Sequence, residues 1–311
     1  MTVGLKVRSY VSVKDFTAEE TLGVLHRAVE LKRRHKLDHP QPLLDGRTLA
    51  MVFQKPSLRT RVSFEAGMTQ LGGHAIYLGP DDIRLGARES VEDIALVLSR
   101  MADLIMARVF GHDIVEALAR HATVPVINGL SDREHPCQIL GDLLTIQERK
   151  GRLAGLKAVF VGDGNNVANS LLYGAALTGM HCTVAGPAEF APSPEILAEA
   201  QRLARKSGAV LAATPDLAAA CRGADVIYTD VWTSMGQEAE AARRRAAFAP
   251  YQVNDALMKL AAPEAVLLHC LPAHYGEEID YATSRGAGSA IFDQAENRLH
   301  AQKALMVLLA G

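Results

Sequence analysis

Thr48-Leu-Ala-Met-Val-Phe-Gln-Lys-Pro-Ser-Leu-Arg-Thr-Arg61 passes from an apolar strand into a helix through a polar junction. Leu49–Phe53 is short and continuously apolar, the pattern of a strand buried on both faces of a parallel sheet. Ser57 stands where an N-cap belongs, so its hydroxyl and the amides behind it face outward at the positive end of a helix dipole. With Arg59, Thr60 and Arg61 alongside, the junction offers N–H groups, hydroxyls and fixed cations at one point, the components of a phosphate cradle. Arg59 and Arg61 point in different directions on a helix. One can therefore fork onto phosphate oxygens while the other pairs elsewhere, for instance with Glu65 one turn on. Taken alone, the segment equally suits an ordinary capped helix with a solvated basic first turn.

Outward from this junction, short apolar or β-branched runs alternate with helical patterns almost throughout, which predicts an α/β fold of parallel sheets with helices on both faces. Strands are expected at 48–53, 75–78, 104–108 and 124–128 in the first half. In the second they are expected at 157–161, 182–185, 210–213, 226–229 and 266–269. Helix starts carry their own signals: Thr17 with Glu20 and Ser90 with Asp93 have capping-box spacing, and Ser193-Pro194 and Thr214-Pro215 place a cap before a first-turn proline. A helix over 136–150 runs up to Gly151–Gly155, where the division falls between a first domain (1–150) and a second (151–293). A final helix spans roughly 294–309. Residues 239–249, rich in alanine and arginine, read as a mobile segment beside a loop.

The 311 residues suffice for two ordinary domains. A net charge of −2, with 49% apolar and 22% charged residues, gives a soluble balance and argues against nucleic acid or an anionic membrane as the main partner. No run reaches the ~20 apolar residues of a membrane span, and no signal or transit segment is recognisable, so the expected place is the cytoplasm. The four cysteines are widely spaced and form no C-x-x-C pair, which indicates neither a disulfide frame nor a structural zinc site.

In open α/β sheets ligands bind outside the carboxyl ends of the strands, and the polar clusters all fall there. Arg108 ends the strand over 104–108. His135, ahead of Pro136-Cys137-Gln138, stands at the start of a helix and can donate to a ligand oxygen. Val161-Gly-Asp-Gly-Asn-Asn-Val167 resembles a dinucleotide turn, but its third glycine is replaced by Val167 and no acid follows the next strand, so nicotinamide chemistry is disfavoured. Asn165 and Asn166 instead offer amides to a small polar ligand. Asp230 follows the strand over 226–229 and can pair with an ammonium, while Gly236 allows a loop to close. Cys270 follows the strand over 266–269, where partial exposure near cations would make it a special thiol; the plainer reading is a buried one.

Together and in this order, Ser57-Leu-Arg-Thr-Arg61, His135-Pro-Cys-Gln138, Asp230-Val-Trp-Thr-Ser-Met-Gly236 and His269-Cys-Leu-Pro272 closely resemble the ornithine carbamoyltransferases, over nearly the whole chain. The resemblance implies a carbamoyl phosphate domain followed by an ornithine domain, with the last helix (294–311) packing back on the first, and a homotrimer without a cofactor or metal. It implies that Ser57, Leu58, Arg59, Thr60 and Arg108 hold phosphate, and that His135 and Gln138 engage the carbamoyl group. Asn166, Asp230, Ser234 and Met235 would bind the amino-acid end of ornithine, and Cys270, the backbone at Leu271, and Arg298 would complete the reaction centre. The expected reaction is carbamoyl transfer from carbamoyl phosphate to L-ornithine, giving L-citrulline; another amine, such as putrescine or an acylated ornithine, is the alternative. A silent scaffold on the same fold is a further reading. Its support is Arg84-Leu-Gly-Ala-Arg-Glu89, where the family pattern has glutamine at the Arg84 position. Leu58 replaces the family's threonine, which a backbone contact would survive, and Tyr275 replaces its arginine.

Overall fold

The computed structural model describes residues 9–85, 88–234 and 237–311. The chain forms two units, Met1–Leu144 with Glu296–Gly311, and Thr145–Ala295. Its principal helices are α1 (Ala18–Lys36), α2 (Leu58–Gln70), α3 (Val91–Leu98), α4 (His112–His121) and α5 (Pro136–Lys150). They continue as α6 (Asn166–Thr178), α7 (Pro194–Ala204), α8 (Ala241–Phe248) and α9 (Ile291–Ala310). No helix among the described residues is long and apolar enough to cross a membrane.

The first unit holds a parallel sheet of β1 (Thr48–Phe53), β2 (His74–Leu78), β3 (Leu104–Arg108) and β4 (Val126–Leu130), in the order β2-β1-β3-β4. The interior strands β1 and β3 are buried nearly end to end, whereas the edge strand β2 is half open, which is why the former read as unbroken apolar runs. Ala50, Val52, Ile105, Ala107 and Val126 pack with Ile94, Val115 and Leu118 in one apolar cluster. The second unit repeats the plan with β5 (Lys157–Val161), β6 (His181–Ala185), β7 (Leu211–Thr214), β8 (Val226–Thr229) and β9 (Val266–His269), in the order β7-β6-β5-β8-β9. Val159, Val161, Ile227 and Leu267 form the centre of its core.

Three local expectations are corrected. β4 starts two residues later than the sequence suggests, because Pro125 has no N–H for the ladder, and Tyr10 covers the strand by donating to Val126 O and accepting from Asn128 N. The helix expected after Thr214-Pro215 begins at Leu217, since Asp216, not Thr214, accepts from the Ala219 amide at 3.0 Å. Residues 241–248 form a helix, α8, whose Arg244 is buried.

Strand order reverses between β1 and β3 in one sheet and between β5 and β8 in the other. A crevice at the carboxyl ends of the strands opens at such switch points. Ser57 and Arg108 flank the first; Asn165, Asn166 and Asp230 flank the second.

Candidate active site

In the first unit, Ser57 caps α2: its Oγ accepts from Thr60 N at 3.3 Å and donates to Thr60 Oγ1 at 3.1 Å. Leu58 follows with its side chain 75% exposed, so only its backbone is turned to the junction's chemistry. Arg61 goes the other way, its Nε 2.9 Å from Glu65 Oε1 and its guanidinium 4.0 Å from the Tyr77 ring centre. Arg59 belongs with the other group: its charge acts on the ring of His135.

Arg108 ends β3 opposite Phe53 of β1 and is buried. Arg298 enters from α9 and donates through Nη2 to Thr60 Oγ1 at 3.0 Å. That approach depends on Gly141 of α5: a Cβ there would lie 2.9 Å from Arg298 Cγ and 3.1 Å from Arg298 N.

His135, buried just before Pro136 opens α5, completes the group. Burial, then the charges of Arg298, Arg108, Lys55 and Arg59 in falling order, hold its pKa well below the usual imidazole range, so it is a neutral donor at pH 7. Gln138 donates through Nε2 to Asp142 Oδ1 at 2.8 Å, which leaves its Oε1 with no protein donor among the described residues. Cys137 is a structural thiol: its Sγ donates to Asn128 O at 3.3 Å and burial pushes its pKa up to about 12. The loop carrying His135 is tied to the N-terminal segment through Glu134, which accepts from Ser12 Oγ at 2.6 Å and Val13 N at 2.9 Å.

In the second unit Asp230 is the centre. It is buried at the end of β8, accepts from Asn165 Nδ2 at 2.9 Å through one oxygen and from Cys270 Sγ at 2.9 Å through the other. Asn165 also caps α6 by accepting from Val167 N and Ala168 N, and Asn166 is the first residue of that helix. The glycines before it serve packing: a Cβ on Gly164 would sit 2.2 Å from Pro192 N, and Gly162 adopts φ +142°. The dinucleotide-like pattern therefore has a structural reason that involves no cofactor.

Cys270 is half-buried and donates through Sγ to the Asp230 carboxylate. Leu271 follows in the left-handed region, φ 57°, and donates its N–H to His269 Nδ1 at 2.8 Å. The other ring nitrogen of His269 lies 2.9 Å from Glu278 Oε1, and both side chains are fully buried, so this pair fixes the backbone that presents Cys270 and Leu271. Ser234 donates its N–H to Gln237 Oε1 at 3.1 Å, while Met235 lies outside the described residues.

Two participants were not singled out from the sequence. Lys55, inside the first stretch quoted, has its ammonium 5.0 Å from the Phe110 ring centre; its signal is its place between a strand end and a helix cap. Arg244 donates through Nη1 to Asp163 Oδ2 at 2.9 Å and to Trp232 O at 3.1 Å, linking α8 to the turn after β5 and to the loop after Asp230. An arginine in an Ala/Arg-rich run gives no pattern by which to find it.

Residues 8–148 match the family model described as the aspartate/ornithine carbamoyltransferase carbamoyl-P binding domain, and residues 154–309 match the Asp/Orn binding domain of the same family. An ornithine carbamoyltransferase of Anoxybacillus flavithermus is 53% identical over 99% of this chain and 98% of that one. The solved ornithine carbamoyltransferase of Pyrococcus furiosus superposes with a TM-score of 0.97 at 51% identity, covering 99% of each chain. The anabolic enzyme of Campylobacter jejuni does so with a TM-score of 0.92 at 40% identity, over 97% of this chain and 99% of that one. With both family domains in order along its length and relatives matched end to end, the chain belongs to the aspartate/ornithine carbamoyltransferase family.

Proposed function

We propose that the protein transfers the carbamoyl group of carbamoyl phosphate to the δ-amine of L-ornithine, giving L-citrulline and phosphate. The observation that carries this reading is the contrast between the two switch points: cations gather around a neutral imidazole at one, and a carboxylate stands among hydrogen-bond donors at the other. The first suits a phosphate dianion with a carbonyl beside it, the second an amino acid with a free ammonium.

On this reading the first unit binds carbamoyl phosphate through Ser57, Thr60, the backbone at Leu58, Arg59 and Arg108. Arg298 and neutral His135 donate to the carbonyl oxygen, and Gln138 Oε1 accepts from the carbamoyl NH₂. In the second unit Asp230 and Asn166 take the amino-acid end of ornithine, with Ser234 and Met235 from the following loop. The neutral δ-amine attacks the carbonyl carbon, a C–N bond forms and negative charge builds on the oxygen, where each positioned donor is worth about 3 kcal/mol. The C–O bond to phosphate then breaks, and the phosphate departs already paired with cations. Cys270 gives its hydrogen to Asp230, so the departing phosphate is the better acceptor for the amine proton.

The active form is a homotrimer in the cytoplasm. Support for assembly comes from apolar side chains left in solvent on and around α2, β2 and α3, namely Leu58, Val62, Ile76, Leu96, Val97 and Met101. Citrulline formation, followed with ornithine, putrescine and an N-acylated ornithine as competing amines, tests the chemistry. Turnover with ornithine alone is expected; equal turnover with putrescine would remove Asp230 from its role at the α-ammonium. Light scattering on the same preparation tests the trimer.

A further inference from the structure

Lys55 stands two residues beyond β1 and two before the Ser57 cap. Its Nζ lies 5.0 Å from the centre of the Phe110 ring, two residues beyond Arg108 on the neighbouring strand end. That ring is fixed at the same switch point: Phe110 donates its N–H to Gln54 Oε1 at 2.8 Å, and Gln54 donates its own to Arg108 O at 2.9 Å. Gln54, the residue before Lys55, therefore ties it to the end of β3. No carboxylate lies within ion-pair distance of its ammonium among the described residues. An ammonium kept half-buried without a carboxylate, beside fixed guanidinium groups, is unfavourable unless an anion joins it.

We propose that Lys55 is a further phosphate-holding residue of the carbamoyl phosphate site, its ammonium supplementing Arg59 and Arg108 on the dianion. The inference rests on reading Arg59 and Arg108 as that site. Its electrostatic surroundings agree. Burial and then the charge of Arg108 bring the Lys55 ammonium down to a pKa of about 8, against a smaller opposing pull from Asp132 after β4. The Lys55 charge is also among those that keep His135 neutral. Phosphate affinity thus carries a titratable component close to working pH, whereas the arginines stay charged throughout.

The test is binding of inorganic phosphate to the full-length protein by calorimetric titration between pH 7.5 and 9.5, where phosphate remains mostly dianionic and no amine substrate is present to titrate. Wild type, Lys55→Met, Lys55→Arg and Arg59→Ala are compared. Lys55→Met should weaken binding about tenfold at pH 7.5. Wild type should lose most of that factor as pH passes 8, and Lys55→Arg should keep its affinity to pH 9.5. Affinity within twofold of wild type in Lys55→Met, with Arg59→Ala impaired, would overturn the role of Lys55 alone. Unchanged binding in both would overturn the site reading with it. The same alkaline loss in Lys55→Arg would also refute the proposal, and this arm stands even if the methionine variant does not fold.

Discussion

The two switch points share one backbone plan and opposite chemistry. At β1/β3 four cations surround a neutral histidine. At β5/β8 one carboxylate is surrounded by an amide and a thiol that donate to it. The crevice comes from strand order, which both sheets have, whereas the ligand is chosen by the few residues that follow each strand. The supports differ as well. The first site is braced by helices α2, α5 and α9 through Thr60, Gly141 and Arg298, while the second is braced by a buried ion pair, Arg244 with Asp163, and by His269 with Glu278.

The largest expected effect separates the two chemically. Arg59→Ala should lower kcat/KM for carbamoyl phosphate by roughly 10²–10³-fold and leave the KM for ornithine nearly unchanged. Asp230→Asn should do the reverse, costing roughly 10²-fold in kcat/KM for ornithine while inorganic phosphate still binds normally. Steady-state kinetics with each substrate varied at saturating levels of the other reads both. If each variant damaged both substrates equally, the division of labour between the units would be wrong.

A second contrast concerns the supports. Arg244→Met leaves Asp163 buried without its counter-ion and the Trp232 carbonyl without a donor, and should destabilise the second unit by about 3–5 kcal/mol. Urea unfolding followed by fluorescence of Trp232, the single tryptophan, reports on that unit. A change under ~1 kcal/mol would mean that the pair is ornamental.

The first unit carries its own titrating support. Burial raises the Glu134 carboxyl from 4.5 to about 7, so the folded state retains a proton that the unfolded chain gives up. The contribution to stability is full below pH 4.5 and is lost as pH rises to about 7, amounting to roughly 3 kcal/mol. Glu134→Gln should flatten this part of the profile. Urea midpoints at pH 5 and 7.5 that fall equally in wild type and variant would assign the slope to other groups.

Much of this was legible in the residue order. β1, β3, β5, β8 and β9 lie where their apolar runs begin and end, because a strand covered on both faces has no polar positions to blur its limits. β4 was misread at its start because Val124 and Pro125 look like strand residues while the ladder needs an N–H that proline lacks. The division between Arg59 and Arg61 followed from helical geometry, and the structure shows Arg61 with Glu65. The bond from Cys270 to Asp230 did not follow, since nothing local says that two strand-end residues 40 positions apart will meet side chain to side chain. Arg244 was hidden for the same reason: its value lies in Asp163 and Trp232, which only the fold brings near. Tyr275, the departure from the family's arginine, accepts from Arg285 Nη2 at 3.3 Å and meets the Tyr281 ring edge to face, a contact that a single sequence cannot announce.

The smallest effect is the sharpest probe of the first site, because it alters no substrate-binding side chain itself. Gly141 permits α9 to lie so close to α5 that an added methyl would meet Arg298 at its Cγ and its backbone N. Neither atom can swing aside as a flexible side-chain tip could, so Gly141→Ala must move α9, α5 or both by a few tenths of an ångström, at a cost of about 1–3 kcal/mol in stability. The displacement falls on the 3.0 Å bond from Arg298 Nη2 to Thr60 Oγ1, and through Thr60 on the Ser57 cap. Carbamoyl phosphate turnover should fall about tenfold, as expected when a transition-state donor shifts by a fraction of an ångström. Ornithine KM should change far less, because the Asp230 carboxylate is held by Asn165 and Cys270, neither of which lies on α5 or α9. A variant that lost stability yet kept its turnover would show that Arg298 is seated by something other than this contact; one that raised the ornithine KM would show that the two sites share a support.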